Sequence, residues 1–288
     1  MSDRDARPVL FRPRAVRAGN RRFLLAACVV AALALFCVVA VGLAVRADAS
    51  AADFSLKNLA PCLEHPFGTD RMGRDMLLRT LAGLSTSVFV GIAAASLSSI
   101  IALALGSAAA LGGRVVDAAV TWLVDLCMGI PHIVLLILIS YAIGKGFWGV
   151  AIGVALTHWP SLTRVIRAEI LQCRESSYVA AARSLGRSRA YIAVRHMVPY
   201  VLPQFLVGLI LLFPHAILHE ASITFLGFGL SPEQPAIGVI LNESMSYLSA
   251  GMWWLAIFPG LALVGIVLLF DVCGASLRRL VDPQSSQE

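Results

Sequence analysis

From Phe23 to Val45 no residue is charged, and five further apolar blocks follow along the chain. They run from about Leu84 to Leu111, Val116 to Ile143, Phe147 to Thr163, Val201 to Phe225 and Trp253 to Cys273. At about 1.5 Å per residue, a helix over the first block reaches roughly 35 Å, enough to cross a hydrocarbon core of about 30 Å. Lipid offers no water to backbone N–H and C=O groups, so each block must satisfy them internally, as a helix does. The pattern predicts an all-α polytopic membrane protein with six transmembrane helices. Composition agrees: 58% of the 288 residues are hydrophobic and 14% charged, against about 25% charged in a soluble domain.

A cleaved leader is the competing account of the first block, because Ala47-Asp48-Ala49 has the small residues of a cleavage site. The apolar run exceeds the roughly 7–15 residues of a signal core, so a retained span is expected.

Arginine placement sets the orientation. Arg4, Arg7, Arg12, Arg14, Arg17, Arg21 and Arg22 precede the first block. Arg164, Arg167, Arg174, Arg183, Arg187, Arg189 and Arg195 lie between the fourth and fifth, with Arg114, Arg278 and Arg279 on the same side. The opposite side has Arg46, Lys57, Arg71, Arg74, Arg79 and Lys145, largely balanced by acids. Both termini are therefore expected in the cytoplasm. The divisions are a cytoplasmic segment 1–22, a first span 23–45 and an extracytoplasmic loop 46–83. A five-helix core 84–273 follows, with a cytoplasmic segment 164–200, an outer loop 230–252 and a tail 274–288. The net charge of +6 reflects this asymmetry, so lipid and not nucleic acid is the expected environment. Six cysteines form no C-x-x-C pair, which suggests neither a zinc ribbon nor a redox motif.

Segment 164–200 contains Ser177-Tyr178-Val179-Ala180-Ala181-Ala182-Arg183-Ser184-Leu185-Gly186. Alanine favours helix and Gly186 suits a helix stop. The expectation is a short cytoplasmic helix with apolar knobs at Val179, Ala182 and Leu185 and cationic flanks, with Pro199 and Pro203 marking the start of the fifth span. Read alone, it fits either an amphipathic helix on the anionic leaflet or a rigid unit moved by a partner. It resembles the E-A-A-x3-G-x9-I-x-L-P loop of bacterial ATP-binding-cassette import permeases. Ala180, Ala181 and Ala182 stand at E-A-A, Gly186 at the glycine, His196 and Val198 at I and L, and Pro199 at the proline. The resemblance implies that Ala180, Ala181, Ala182, Arg183, Leu185 and Gly186 couple to an ATPase. Ala180 replaces the family's acid, a role left to Glu175.

Before the second block lies His65-Pro66-Phe67-Gly68-Thr69-Asp70-Arg71-Met72-Gly73-Arg74-Asp75, with Arg79 following. Gly68 and Gly73 allow tight turns, and Asp70, Arg74 and Asp75 are placed to pair among themselves. The string resembles the H-P-x-G-T-D-x-x-G-R-D-x-x-S-R signature of the C-type permeases of dipeptide, oligopeptide and nickel importers, with Leu78 in place of the serine. Phe225-Leu226-Gly227-Phe228-Gly229, Phe258-Pro259-Gly260 and Leu277-Arg278-Arg279-Leu280-Val281-Asp282-Pro283 extend the likeness. Pro235-Ala236-Ile237-Gly238 departs from the family's P-E-W-G, which points to a different docking partner outside. His65, Gly68, Thr69, Asp70, Gly73, Arg74 and Asp75 are thus carried over as an outer signature loop.

The resemblance implies the type I ABC importer permease fold. It also implies a homologous second permease, two ATP-binding-cassette ATPase subunits and an extracytoplasmic solute-binding protein. No G-x-x-x-x-G-K-[ST] occurs in the chain. ATP is therefore expected to be used by the partners, and this chain is expected to be no enzyme and to bind no cofactor.

Ionisable residues inside membrane blocks are candidates for function. Here they include Asp125, His132 beside Pro131, His158, His215, His219 and Glu220. His215 and His219, four apart, share a helix face. Neutral imidazoles suit a borderline metal such as nickel, and the nickel branch has a similar H-x-x-x-H before F-L-G. The sequence expectation is a metal contact at His215, His219 and Glu220, with nickel or a nickel chelate as cargo. Import of di- or oligopeptides is the alternative. A self-contained channel or proton-coupled carrier is the alternative from another class.

Overall fold

The computed structural model describes residues 18–281. Its helices are α1 (Ala18–Ala44), α2 (Met76–Leu111), α3 (Arg114–Gly129), α4 (His132–Ile143), α5 (Phe147–Arg174), α6 (Ser177–Ser184), α7 (Arg189–Ile192), α8 (Val198–Phe225), α9 (Ile237–Leu248) and α10 (Trp254–Val281). No β-strand occurs among the described residues. Arg4 to Arg17, Asp282 and Pro283 lie outside them.

Helix α2 organises the bundle. It packs against α1, α5, α8, α9 and α10, and small residues let those neighbours approach. A Cβ at Gly106 would stand 2.9 Å from the Thr163 carbonyl oxygen of α5, and one at Gly42 of α1 would stand 2.2 Å from that of Leu81. Two apolar clusters form on opposite sides of α2. One joins α2 to α3, α4, α5 and α8. The other joins it to α1, α8, α9 and α10. Phe23, Leu33 and Phe36 of α1 remain exposed, as a face meant for lipid would be.

The helix boundaries correct the sequence reading in several places. The second span begins at Met76, not near Leu84, because the Asp75 carboxylate accepts hydrogen bonds from the N–H groups of Leu77 and Leu78 and caps the helix. The third block is not one helix: α3 and α4 meet at 99°. Pro131 causes the break, holding Ile130 in extended backbone (φ −91°, ψ 136°) as residues before proline prefer. The expected outer loop 230–252 contains α9. Four described helices are long and apolar enough to cross a membrane, and the α3–α4 pair counts as a fifth if taken as one bent span. The expected fourth span, Phe147 to Thr163, is the first part of α5, whose Thr157, His158, Pro160 and Ser161 dilute its apolar run before it continues into Arg164 and Arg167.

Pro199 and Pro203 do not interrupt the chain before the fifth span. A continuous helical rod covers Ala190–Phe225, with one π turn at Ala193–Met197 where the Val198 N–H reaches the Ala193 carbonyl. The wider turn passes directly into α8, where Pro199 brings no N–H and so leaves a carbonyl of the preceding turn without an α-helical donor.

Candidate functional site

The outer signature loop folds around Asp70. Its carboxylate accepts from Arg74 Nε at 2.7 Å, from Arg79 Nη1 at 2.7 Å and from the N–H groups of Met72 and Arg74. Asp75 pairs with His65 at 2.7 Å instead of joining that group. Thr69 Oγ1 accepts from Leu59 N–H at 2.9 Å, tying the loop to the preceding segment. Gly73 has φ +72°, and a Cβ there would stand 1.7 Å from the Asp53 carbonyl oxygen, so glycine is required. Glu243 of α9, which the sequence did not single out, completes the cluster through Arg79 at 3.1 Å and Arg74 at 3.5 Å.

On the other side of the bundle, α6 ends in a Schellman turn. The Gly186 N–H reaches the Arg183 carbonyl and the Arg187 N–H reaches that of Ala182, with Gly186 at φ +73°. The three expected knobs do not share a face. Val179 and Ala182 are buried within the chain, whereas Leu185 is 79% exposed. Ala180, Ala181, Arg183 and Gly186 are exposed with it. Helices α3 and α5 are joined nearby by Asp117–Arg167, with two contacts of 2.5 and 2.6 Å, and by Asp125–Arg164 at 2.6 Å. Asp125 thus has an ion-pair partner.

Three histidines from three helices meet where α4, α5 and α8 pack together. His132 opens α4 just beyond the bend, His158 lies in α5 two residues before Pro160, and His219 lies in α8 five residues after Pro214. Their ring centroids are 4.5, 4.6 and 4.8 Å apart, and each ring stands 77–86° to the others. One ring nitrogen from each lies within 4.8 Å of the others. They line an open cleft of about 660 Å³, walled by the α3–α4 bend, by Thr157, Pro160 and Ser161, and by Leu212 with His215.

The pair singled out by spacing is split. His219 Nδ1 lies 2.7 Å from the His215 carbonyl, and His219 joins His132 and His158 while His215 stays at the rim of the cleft. Glu220 does not join. Successive helical residues point about 100° apart, and Glu220 is fully buried away from the cleft. It accepts a hydrogen bond from Thr224 Oγ1 at 2.9 Å, and Thr224 Oγ1 accepts from the Leu230 N–H beyond the Phe225-Leu226-Gly227-Phe228-Gly229 turn. Glu220 therefore anchors that turn.

A family profile described as binding-protein-dependent transport system inner membrane component matches residues 100–287. A putative peptide permease protein of Brucella suis is 37% identical over 234 residues, covering 81% of this chain and 78% of the relative. A putative peptide transport system permease protein of Brucella abortus is 39% identical over 228 residues, covering 79% and 76%. The dipeptide transport system permease protein DppC of Bacillus subtilis is 29% identical over 79% of this chain and 71% of its own. Among solved structures, an inward-facing MetNI methionine ABC transporter chain superposes with a TM-score of 0.60 at 17% identity, over 72% of this chain and 97% of that one. That likeness shows the type I permease fold.

Proposed function

The chain belongs to the family of binding-protein-dependent transport system inner membrane components, and on that footing we propose that its cargo is di- or oligopeptides. It is a multi-pass inner-membrane permease subunit of an ATP-driven importer, a class that works with a partner permease, ATPases and a binding protein. The observation that carries the peptide reading is the likeness, at 37–39% identity over about four fifths of the chain, to proteins named as peptide permeases.

In the proposed cycle the binding protein delivers cargo to the outer face near α9 and the Asp70–Arg79–Glu243 cluster. Both termini and α6 lie in the cytoplasm. Exposed Leu185 and its neighbours enter a cleft of an ATPase subunit, which hydrolyses the ATP. Closure of the ATPases moves α6 and the rod Ala190–Phe225 with it. The cleft at His132, His158 and His219 then changes the side to which it opens. This is alternating access between two arrangements of differing stability.

Nickel or a nickel chelate is the second reading, favoured by the three-histidine cluster in the cleft. Uptake by the complete complex in vesicles, with labelled dipeptide and labelled nickel as separate cargoes, tests both. Saturable, ATP-dependent dipeptide uptake is expected. Nickel uptake without peptide uptake would replace the first reading by the second. Transport by the chain without ATPases would make it a self-contained carrier and overturn both.

A further inference from the structure

We propose that His132, His158 and His219 form a three-imidazole site for a late first-row divalent metal ion, open toward the cleft. The inference stands on these side chains and is independent of which cargo the complex moves.

Hydrogen bonding fixes the tautomers. His158 Nδ1 lies 2.9 Å from the Val154 carbonyl and His219 Nδ1 lies 2.7 Å from the His215 carbonyl. A carbonyl only accepts, so each Nδ1 carries the proton and each Nε2 presents a lone pair. A histidine that donates one nitrogen to a backbone carbonyl and offers the other is the arrangement found at metal centres. The Nε2 atoms of His132 and His158 are buried with no hydrogen-bond partner in the chain. A buried polar atom left without a partner loses its hydration and regains nothing for it. Two such atoms beside a third imidazole are a standing cost that a shared ion removes.

Geometry and ligand chemistry agree. One ring nitrogen of each histidine lies within 4.8 Å of the others. Around a tetrahedral ion with bonds of about 2.0–2.1 Å they would stand roughly 3.3 Å apart, so each moves inward by about 1 Å. Three neutral nitrogens suit nickel, copper, zinc or cobalt over magnesium or calcium, which prefer oxygen. Among the described residues no carboxylate joins the three. The three come from separate helices, so the site is made by tertiary packing and changes shape if α4, α5 and α8 shift. The open cleft leaves coordination positions for donors of a chelating cargo, such as a peptide amine.

The test uses the intact complex, purified metal-free and titrated with cobalt(II), whose visible absorption reports its ligands. The expected result is one ion per copy of this chain with the spectrum of a low-coordinate nitrogen site. His132→Gln, His158→Gln and His219→Gln should each weaken binding by at least about tenfold, while His65→Gln leaves it unchanged. Metal-free thermal stability identifies any variant that misfolds. If His158→Gln misfolds, the decision falls to His132→Gln, whose position at the start of its helix tolerates the change. Binding no tighter in the wild type than in a folded variant, or equal loss in His65→Gln, overturns the proposal. Metal binding without any uptake would leave the site standing and count against the importer reading alone.

Discussion

Glu243 of α9 accepts a hydrogen bond from Arg79 Nη2 at 3.1 Å, although 164 residues separate them. Arg79, whose side chain is 5% exposed, also reaches Asp70, so one guanidinium joins the signature loop, the first turn of α2 and the outer helix. Removing one partner of a buried ion pair costs about 3–5 kcal/mol. Arg79→Met should therefore lower the stability of the detergent-solubilised chain by roughly 3 kcal/mol, seen as a fall in denaturant midpoint. Glu243→Gln should cost about 1 kcal/mol, since Arg79 keeps Asp70. Equal losses from the two variants would remove Arg79 from the centre of the cluster.

Gly73→Ala introduces a methyl 1.7 Å from the Asp53 carbonyl oxygen at a φ of +72°. Gly144 also has positive φ, +116°, but open space around it. Backbone strain alone costs about 1–3 kcal/mol. Gly144→Ala should stay within that range, whereas Gly73→Ala should exceed it and open segment 53–75 to protease. Similar cleavage of both variants would contradict the close approach.

Leu185 is exposed while Val179 is buried, so charge at the two positions should have opposite signatures. Leu185→Arg should leave thermal stability within about 0.5 kcal/mol of wild type and reduce ATPase stimulation by the binding protein at least tenfold. Val179→Arg should destabilise the chain itself, because an unpaired charge is forced into the interior. Full stimulation with Leu185→Arg would detach α6 from coupling.

Orientation follows from the arginines. In a cysteine-free background, Ala47→Cys and Ser249→Cys should label with an impermeant reagent from outside, and Arg187→Cys only from within. Labelling of Arg187→Cys from outside reverses the topology.

Apolar length made the helical class and the helix Ala18–Ala44 readable, because lipid favours long apolar runs. What escaped was set by contacts. Asp75 acts as a cap only because α2 starts earlier than its apolar run, and Arg79, being charged, reads as loop in the linear sequence. Helix α9 was hidden among Asn242, Glu243 and Ser244, whose polar groups meet Phe225, Arg79 and Leu255. In the cleft, helical spacing paired His215 with His219, since a four-residue repeat is visible in a linear chain. The meeting of His219 with His132 and His158 depends on how three helices pack, and no spacing encodes it. Proline beside His132, and near His158 and His219, was the available signal.

The π turn at Ala193–Met197 holds one residue more than an α-helical turn needs. A turn closed from one residue to the fifth after it takes that residue up within itself, so the helix before it and the helix after it keep nearly the phase of an uninterrupted α-helix. Pro199 follows almost at once and brings no N–H. The surplus residue is thus taken up where the proline already breaks the hydrogen-bond ladder, and the cytoplasmic end of the rod stays close to register with the face that bears His219.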